Sequence, residues 1–118
     1  MFKIEYYQKL DKTKPVDDFI NSLNDKLKAK TLRDLKLLQE FGNELRKPQS
    51  SIASKKDGIF ELRSKQGSDI SRIFYFFIVG KTIILTNGYI KKQNKISKPD
   101  LELAIGYKND YIKRVLKK

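Results

Sequence analysis

The spacing of hydrophobic residues changes near the middle of the chain. Between Pro15 and Phe41, apolar side chains recur at intervals of three and four residues, the period of helices with one buried face. After residue 50, apolar and polar side chains alternate in runs that Gly-containing turns separate, a pattern typical of strands. The sequence therefore predicts helices in the first half and a sheet in the second.

The first half begins with a predicted strand, Phe2–Tyr7, followed by a helical hairpin. Pro15 suits the first position of a helix, because its missing N–H would be unpaired there in any case. We expect a second helix to begin at Thr31 as N-cap and to stop at Gly42. Its predicted inner face consists of Leu32, Leu35, Leu38 and Phe41.

In the second half, Ser51–Lys55 and Ile59–Ser64 flank a turn, and strands follow at Ile70–Val79 and Thr82–Ile90. A last helix begins at Pro99. We summarise the order as β-α-α-β-β-β-α. The predicted class is α+β: a small antiparallel sheet packed by an N-terminal helical hairpin and a C-terminal helix. A length of 118 residues favours one domain over the whole chain.

The chain contains no cysteine and no histidine. This excludes disulfides, zinc or haem sites built on these residues, thiolate nucleophiles and imidazole bases. No segment has the ~20 apolar residues of a membrane span, and the N-terminus does not resemble a signal peptide. We expect a cytoplasmic protein.

Positive charge is concentrated in the second half. The formal net charge is +12; residues 1–54 carry 11 basic and 8 acidic groups, whereas residues 55–118 carry 15 and 6. A one-sided basic field suits a polyanion such as nucleic acid or an anionic membrane. Since Lys outnumbers Arg by 21 to 5 in a chain also rich in Ile and Asn, an AT-rich genome is the alternative explanation.

Alternation along the strands predicts the surroundings of two arginines. Phe60 and Leu62 are predicted to face the core, which leaves Arg63 on the open face. Arg72 stands beside an apolar run, where a guanidinium needs water, an anion or a partner, and Glu61 could supply a structural ion pair. Three neighbouring strands would bring Arg63, Arg72 and the pair Lys91-Lys92 toward one surface.

Four motifs occur in a fixed order: Gly58-Ile-Phe-Glu-Leu-Arg63, Arg72-Ile-Phe-Tyr-Phe76, Gly88-Tyr-Ile-Lys-Lys92 and Asp100-Leu-Glu-Leu-Ala104. Together they resemble the RelE/ParE superfamily of type II toxin–antitoxin toxins, and most closely its HigB-like, phage Gp49-related branch. The motifs cover residues 55–111, and the order of the elements matches over the remainder. Each motif is unspecific alone, but the combination is distinctive.

The resemblance implies a ribosome-dependent mRNA endonuclease that uses no metal and no cofactor. The 2′-hydroxyl would attack the adjacent phosphate, and fixed guanidinium groups would stabilise the charge that develops. It also implies neutralisation by a HigA-like antitoxin with a helix-turn-helix domain, encoded downstream, in a toxin–antitoxin hetero-oligomer. Ribosome and mRNA would be the other partners, and no membrane is involved.

The resemblance also assigns roles to residues. Arg72 and then Arg63 are expected to bind and stabilise the phosphate. Lys91 and Lys92 are expected to hold RNA phosphates or to act in proton transfer, so these four form the predicted catalytic set. A separate set is predicted to bind RNA: Tyr89, Lys95 and Tyr111. For Tyr89 and Tyr111, packing in the core is the alternative.

Two other functions stay open on the sequence alone. The same fold could poison DNA gyrase, as ParE-like proteins do, without cutting RNA. The chain could also be a basic RNA-binding module without catalysis, whose affinity would fall steeply with salt.

Overall fold

The structure, a computed structural model, describes residues 1–90 and 95–116. Its strands and helices are β1 (Lys3–Tyr6), α1 (Pro15–Asn21), α2 (Asp25–Phe41), β2 (Ser50–Ser54), β3 (Ile59–Gln66), β4 (Asp69–Ile78), β5 (Thr82–Ile90) and α3 (Lys98–Tyr111). A 3₁₀ turn over Gly42–Glu44 follows α2, and a π-helical turn over Ile112–Leu116 follows α3. The α+β class is confirmed.

The five strands form one mixed sheet in the order β1-β5-β4-β3-β2. β2 to β5 form an antiparallel meander, as predicted, but β1 pairs with β5 in parallel, with Lys3 opposite Thr82. The prediction of a wholly antiparallel sheet is therefore wrong. A parallel pair needs a long connection between its strands, and here α1, α2 and three strands provide it. The predicted element order, β-α-α-β-β-β-α, also has one strand too few, because four strands follow α2.

The helical hairpin begins and ends where predicted, but its two helices divide differently. Pro15 starts α1, and Gly42 ends α2 with a positive φ of 55°, where an added Cβ would collide with the ring of Phe2. The predicted N-cap Thr31 is wrong. Asn24 caps α2 instead, and its side chain accepts a hydrogen bond from the backbone N–H of Leu27 at 2.9 Å.

The face of α2 that packs on the sheet also differs from the predicted one. Thr31 is buried and shares a 2.6 Å hydrogen bond with Ser71 of β4. Leu35 and Leu38 are buried as predicted, whereas Leu32 and Phe41 are exposed. The placement of these last two residues on the inner face is therefore wrong.

Both faces of the sheet carry an apolar core. On one face, α1 and α2 pack Val16, Ile20 and Leu38 against strand residues such as Leu62 and Ile73. On the other face, α3 packs against a second cluster of buried side chains, which consists of Tyr7, Ile59, Phe74, Phe76, Ile84, Ala104 and Tyr111. β4 supplies both cores, and this explains its nearly continuous apolar sequence.

Within residues 1–90 and 95–116, no helix is both long and apolar enough to cross a bilayer.

Candidate functional site

Arg63 and Arg72 lie directly opposite each other on the neighbouring strands β3 and β4. Glu61, two residues before Arg63, shares their face of the sheet, which is the face that α3 covers further along the strands. Alternation along the strands thus brings the two arginines together, as the sequence predicted. Like charges at opposite positions repel, so this pair requires a nearby negative charge.

Glu61 supplies that charge to Arg72. Nη1 of Arg72 donates to Oε1 of Glu61 at 2.9 Å, and each residue is 2% exposed. Losing one partner of a buried ion pair strands the other charge, which typically costs about 3–5 kcal/mol. Arg72 is therefore part of the folded scaffold, the structural pairing that the sequence left open. Whether it also serves RNA chemistry stays a prediction.

Arg63 differs from its neighbour because it is only half-buried. Both arginines line a cleft of about 1040 Å³ that extends around the edge of the sheet at β2. The other residues that line this cleft are Gly42, Asn43, Leu45, Arg46, Lys47, Pro48, Ser50, Ser51, Ile52, Phe60, Glu61, Tyr75, Phe77 and Ile96. Among these described residues, Glu61 is the only acidic one. We call this space the arginine cleft.

The floor of the arginine cleft is partly aromatic. The ring of Phe60 stacks on that of Tyr75 at 5.6 Å and meets the ring of Phe77 edge-on at 5.3 Å. The hydroxyl of Tyr75 shares a 2.6 Å hydrogen bond with Ser50 of β2. Burial raises the pKa of Tyr75 above its ordinary value, so this hydroxyl, already neutral at physiological pH, stays protonated further into the alkaline range. These rings belong to the core on the α2 side of the sheet, whereas Arg63 and Arg72 lie on the α3 side, so the rings and the two arginines belong to one cleft only because it extends around the edge at β2.

Tyr89 lies opposite Arg72 on β5 and is half-buried. Its ring packs against Phe74 at 5.6 Å, and its hydroxyl accepts a hydrogen bond from the backbone N–H of Ser97 at 3.1 Å. Burial is the main reason why the pKa of Tyr89 is raised. The contacts show Tyr89 as a packing residue that fastens the start of α3 to β5. Base stacking by its ring stays a prediction.

Asn87 makes a second link to α3 that the sequence analysis missed. It is 3% exposed, and its amide donates to the backbone oxygen of Asp100 at 3.0 Å. The pairing of β4 with β5 shifts register between Ile73 and Tyr75, opposite this part of β5. The dipeptide Asn87-Gly88 inside a predicted strand was the available signal, because Gly in a strand often marks a bulge.

Tyr111 lies in the core beneath α3, 7% exposed. Its hydroxyl donates to Oε1 of Glu5 at 3.1 Å, and its ring meets Phe76 edge-on at 5.8 Å. Burial and the nearby Glu5 carboxylate raise the pKa of Tyr111 to about 12. These contacts match the packing alternative, and an RNA contact by Tyr111 stays a prediction.

The remaining predicted site residues are basic. Lys95 is exposed and lies just before Ile96 of the cleft wall. Lys91 and Lys92 lie outside the described residues, so their predicted roles stay predictions. Two further cations, Arg46 and Lys47, line the cleft. No sequence pattern indicated these two residues, because their position follows from the path of the chain between α2 and β2.

The family model for phage-derived Gp49-like proteins (DUF891) matches residues 18–108, which is most of the chain and includes β2 to β5 and most of α3. The chain therefore belongs to this family, a family of RelE/ParE-like toxins. Its members are commonly toxins of toxin–antitoxin modules, which implies a cognate antitoxin as partner. A search of curated proteins gave no match.

Proposed function

We propose that this protein is a HigB-like toxin that cleaves mRNA on the ribosome in the cytoplasm, and that the arginine cleft is its active site. The observation that carries the proposal is the pairing of Arg63 with Arg72 across two strands of a cleft whose described lining has four cations and one acid. The chain's membership of a toxin family supports it.

The proposed reaction is attack of a ribose 2′-oxygen on the adjacent phosphorus, with departure of the 5′-oxygen of the next nucleotide. The 2′-proton leaves during attack, the 5′-oxygen gains a proton, and a 2′,3′-cyclic phosphate remains. Negative charge grows on the non-bridging oxygens in the transition state. Fixed cations beside those oxygens lower the barrier without having to reorganise.

The burial pattern suggests different roles for the two arginines. Arg63 is half-buried on the cleft wall, so its guanidinium is the one we assign to direct phosphate contact. Arg72 is held by Glu61 and contributes a fixed cation from the neighbouring strand β4. We assign proton transfer and RNA phosphate binding to Lys91 and Lys92, and further RNA contact to Lys95.

The test is inducible expression of the wild type and of Arg63→Gln, with transcript 5′ ends mapped within minutes of induction. We expect new ends inside translated codons for the wild type, none when translation is blocked, and a loss of about 10²–10³-fold in Arg63→Gln. Arg33→Gln is the matched control, since Arg33 is exposed on α2 and its substitution removes the same charge. This control should cleave like the wild type.

Other results would contradict the proposal. Growth arrest with intact transcripts and damaged DNA would identify a gyrase poison. RNA binding without cleavage, weakening with a log–log salt slope near ~0.7 per phosphate contacted, would identify a non-catalytic module. Equal cleavage by Arg63→Gln and Arg33→Gln would remove the arginine cleft as the active site.

A further inference from the structure

The arginine cleft continues around the edge of the sheet at β2 into a largely apolar space on the α2 side. There Ile52 of β2, Phe60 of β3 and Tyr75 of β4 lie directly opposite one another in one row across three strands. Phe77 follows on the same face of β4, and Leu45, from the segment after α2, packs against the same core. We call the open part of this space, formed by Leu45, Ile52, Phe60 and Phe77, the aromatic lobe.

The rings of the aromatic lobe are not fully covered by the fold. Phe60 and Phe77 are half-buried, and 56% of Ile52 is exposed. Tyr75 supports them from beneath, since it is buried, its ring stacks on that of Phe60, and its hydroxyl is bonded to Ser50. The lobe therefore presents flat apolar surface on a firmly packed base, and contiguous apolar surface that folding leaves open commonly marks a binding site.

The rim of the aromatic lobe is basic. Arg46 and Lys47 are exposed on the segment between α2 and β2 and line the same cleft. Nη1 of Arg46 donates to the backbone oxygen of Asn43 at 2.7 Å, which holds the guanidinium at the rim. Its Nε and Nη2 have no partner among the described residues. An exposed guanidinium with unused donors is well suited to bind a phosphate.

Flat apolar surface beside cations indicates a ligand with both a planar ring and negative charge. A single-stranded nucleic acid has both, because any base can stack on an aromatic side chain while the phosphates pair with Lys and Arg. Glu61, the only acid among the described lining, does not offset the cations of the rim, since it lies on the α3 side and is paired with Arg72. A second copy of this chain, with its net charge of +12, would be repelled.

We propose that the aromatic lobe stacks one base of a single-stranded RNA and that Arg46 and Lys47 bind an adjoining phosphate, while the strand continues around the edge at β2 to Arg63. The continuity of the cleft from Phe60 to Arg63 supports this path. The inference deepens the proposed function and rests on it for the identity of the RNA as mRNA. The lobe then holds the nucleotide next to the cleaved one and fixes the position of the scissile phosphate at Arg63.

The first measurement titrates the isotopically labelled full chain with two short 2′-O-methyl RNA strands, which attack by a 2′-oxygen cannot cleave. One strand carries bases, and the other is an abasic strand of the same length and charge. We expect the strand with bases to bind about tenfold more tightly. We also expect it to shift the NMR signal of the Ile52 methyl group by its ring current, and to leave that of Leu103, exposed on α3, unchanged. Equal affinities, or an unmoved Ile52 signal, would overturn the proposal.

Two variants locate the stacking contact. Phe60→Leu keeps an apolar side chain but removes the flat ring. Phe41→Leu is the matched control, since Phe41 is 44% exposed at the end of α2 and does not line the cleft. We expect Phe60→Leu to bind the two strands within about threefold of each other, and Phe41→Leu to keep the tenfold preference. The same loss in both variants would overturn the proposal, and if Phe60→Leu fails to fold, the wild-type titrations decide.

A free nucleotide is another source of the same chemistry, so adenosine 5′-monophosphate is the third probe. We expect it to bind more weakly than the strand with bases, because it cannot reach Arg63 at the same time. Equal affinity would identify a site for free nucleotides and overturn the proposal.

None of these measurements requires cleavage, so the two proposals can fail separately. Growth arrest with intact transcripts would defeat the proposed function and leave the affinity of the lobe for RNA standing. Cleavage on the ribosome without base-dependent binding at the lobe would defeat only the present inference.

Discussion

Two arginine–carboxylate pairs among the described residues differ mainly in their surroundings. Arg72 and Glu61 meet at 2.9 Å with side chains 2% and 3% exposed, whereas Arg114 and Asp110 meet at 2.6 Å with side chains 30% and 33% exposed. The distances are similar, yet water can solvate only the second pair. Burial, rather than contact distance, therefore decides how much the fold depends on a charge.

The second pair belongs to a network that fastens the end of α3 to the N-terminal segment. Asp110 accepts from the hydroxyl of Tyr7 at 2.5 Å as well as from Arg114, which in turn donates to the backbone oxygen of Gln8 at 2.8 Å. The bonds from Arg114 and Tyr7 lower the pKa of Asp110. This network joins elements far apart in sequence, but it leaves each of its charges in contact with solvent.

The largest expected effect comes from breaking the buried pair. Arg72→Ala leaves the Glu61 carboxylate buried without its cation, so we expect a loss of about 3–5 kcal/mol in the free energy of unfolding. Urea denaturation followed by circular dichroism measures it. A loss below about 1 kcal/mol would show that water reaches Glu61 in the folded protein. Arg72→Ala combined with Glu61→Gln should recover part of the loss, because no carboxylate is then stranded.

The next effect separates stability from activity at the cleft. Arg63→Gln should unfold within about 1 kcal/mol of the wild type, since Arg63 is only half-buried, while its mRNA cleavage falls by the 10²–10³-fold expected above. Purified protein, denatured in urea and assayed on ribosomes, gives both numbers. Comparable losses of stability and activity would instead assign Arg63 to the scaffold, together with Arg72.

A smaller effect concerns two buried tyrosines, Tyr7 and Tyr111, each of which donates a hydrogen bond to a carboxylate. Burial raises the pKa of Tyr7 to about 12, helped by its bond to Asp110, and burial and Glu5 do the same for Tyr111. A group whose pKa is raised by folding stabilises the protein fully below its unfolded pKa, here near 10. We therefore expect stability to fall as the pH rises from about 10 to 12. Tyr111→Phe should make this decline shallower, and an identical slope in that variant would contradict the assignment.

The smallest effect is expected at the exposed pair. Arg114→Ala should lower the melting temperature far less than Arg72→Ala, and added salt should reduce the difference from the wild type further. Since the pKa of Asp110 is lowered by folding, its contribution is present above the unfolded pKa near 4 and is lost as the pH falls through the lower folded value. Melting curves at several salt concentrations and at pH 3 and 7 test both points. If Arg114→Ala lowers the melting temperature as much as Arg72→Ala does, the greater solvent exposure of the Arg114–Asp110 pair does not make it less important for stability.

The sequence predicted those features that depend on neighbouring residues. Pro15 and Gly42 mark helix ends for conformational reasons, and strand alternation placed Arg63 and Arg72 on one face. Features that depend on packing between distant segments could not be predicted from the sequence. Alternation cannot tell that Arg72 is fully buried against Glu61, nor that β1 joins β5 in parallel, because both depend on how distant segments pack. The extended start of α2 depends on the Asn24 cap, a local signal that was overlooked.

The central claim is that the arginine cleft cleaves mRNA by attack of the 2′-hydroxyl. The most direct test presents wild-type toxin with ribosomes programmed with an mRNA that is cut at a mapped codon, and with the same mRNA carrying a 2′-deoxynucleotide at the scissile position. The account predicts a 2′,3′-cyclic phosphate end on the first mRNA and no cut at that position in the second. Cleavage of the deoxy-substituted mRNA, or an intact first mRNA, would contradict it.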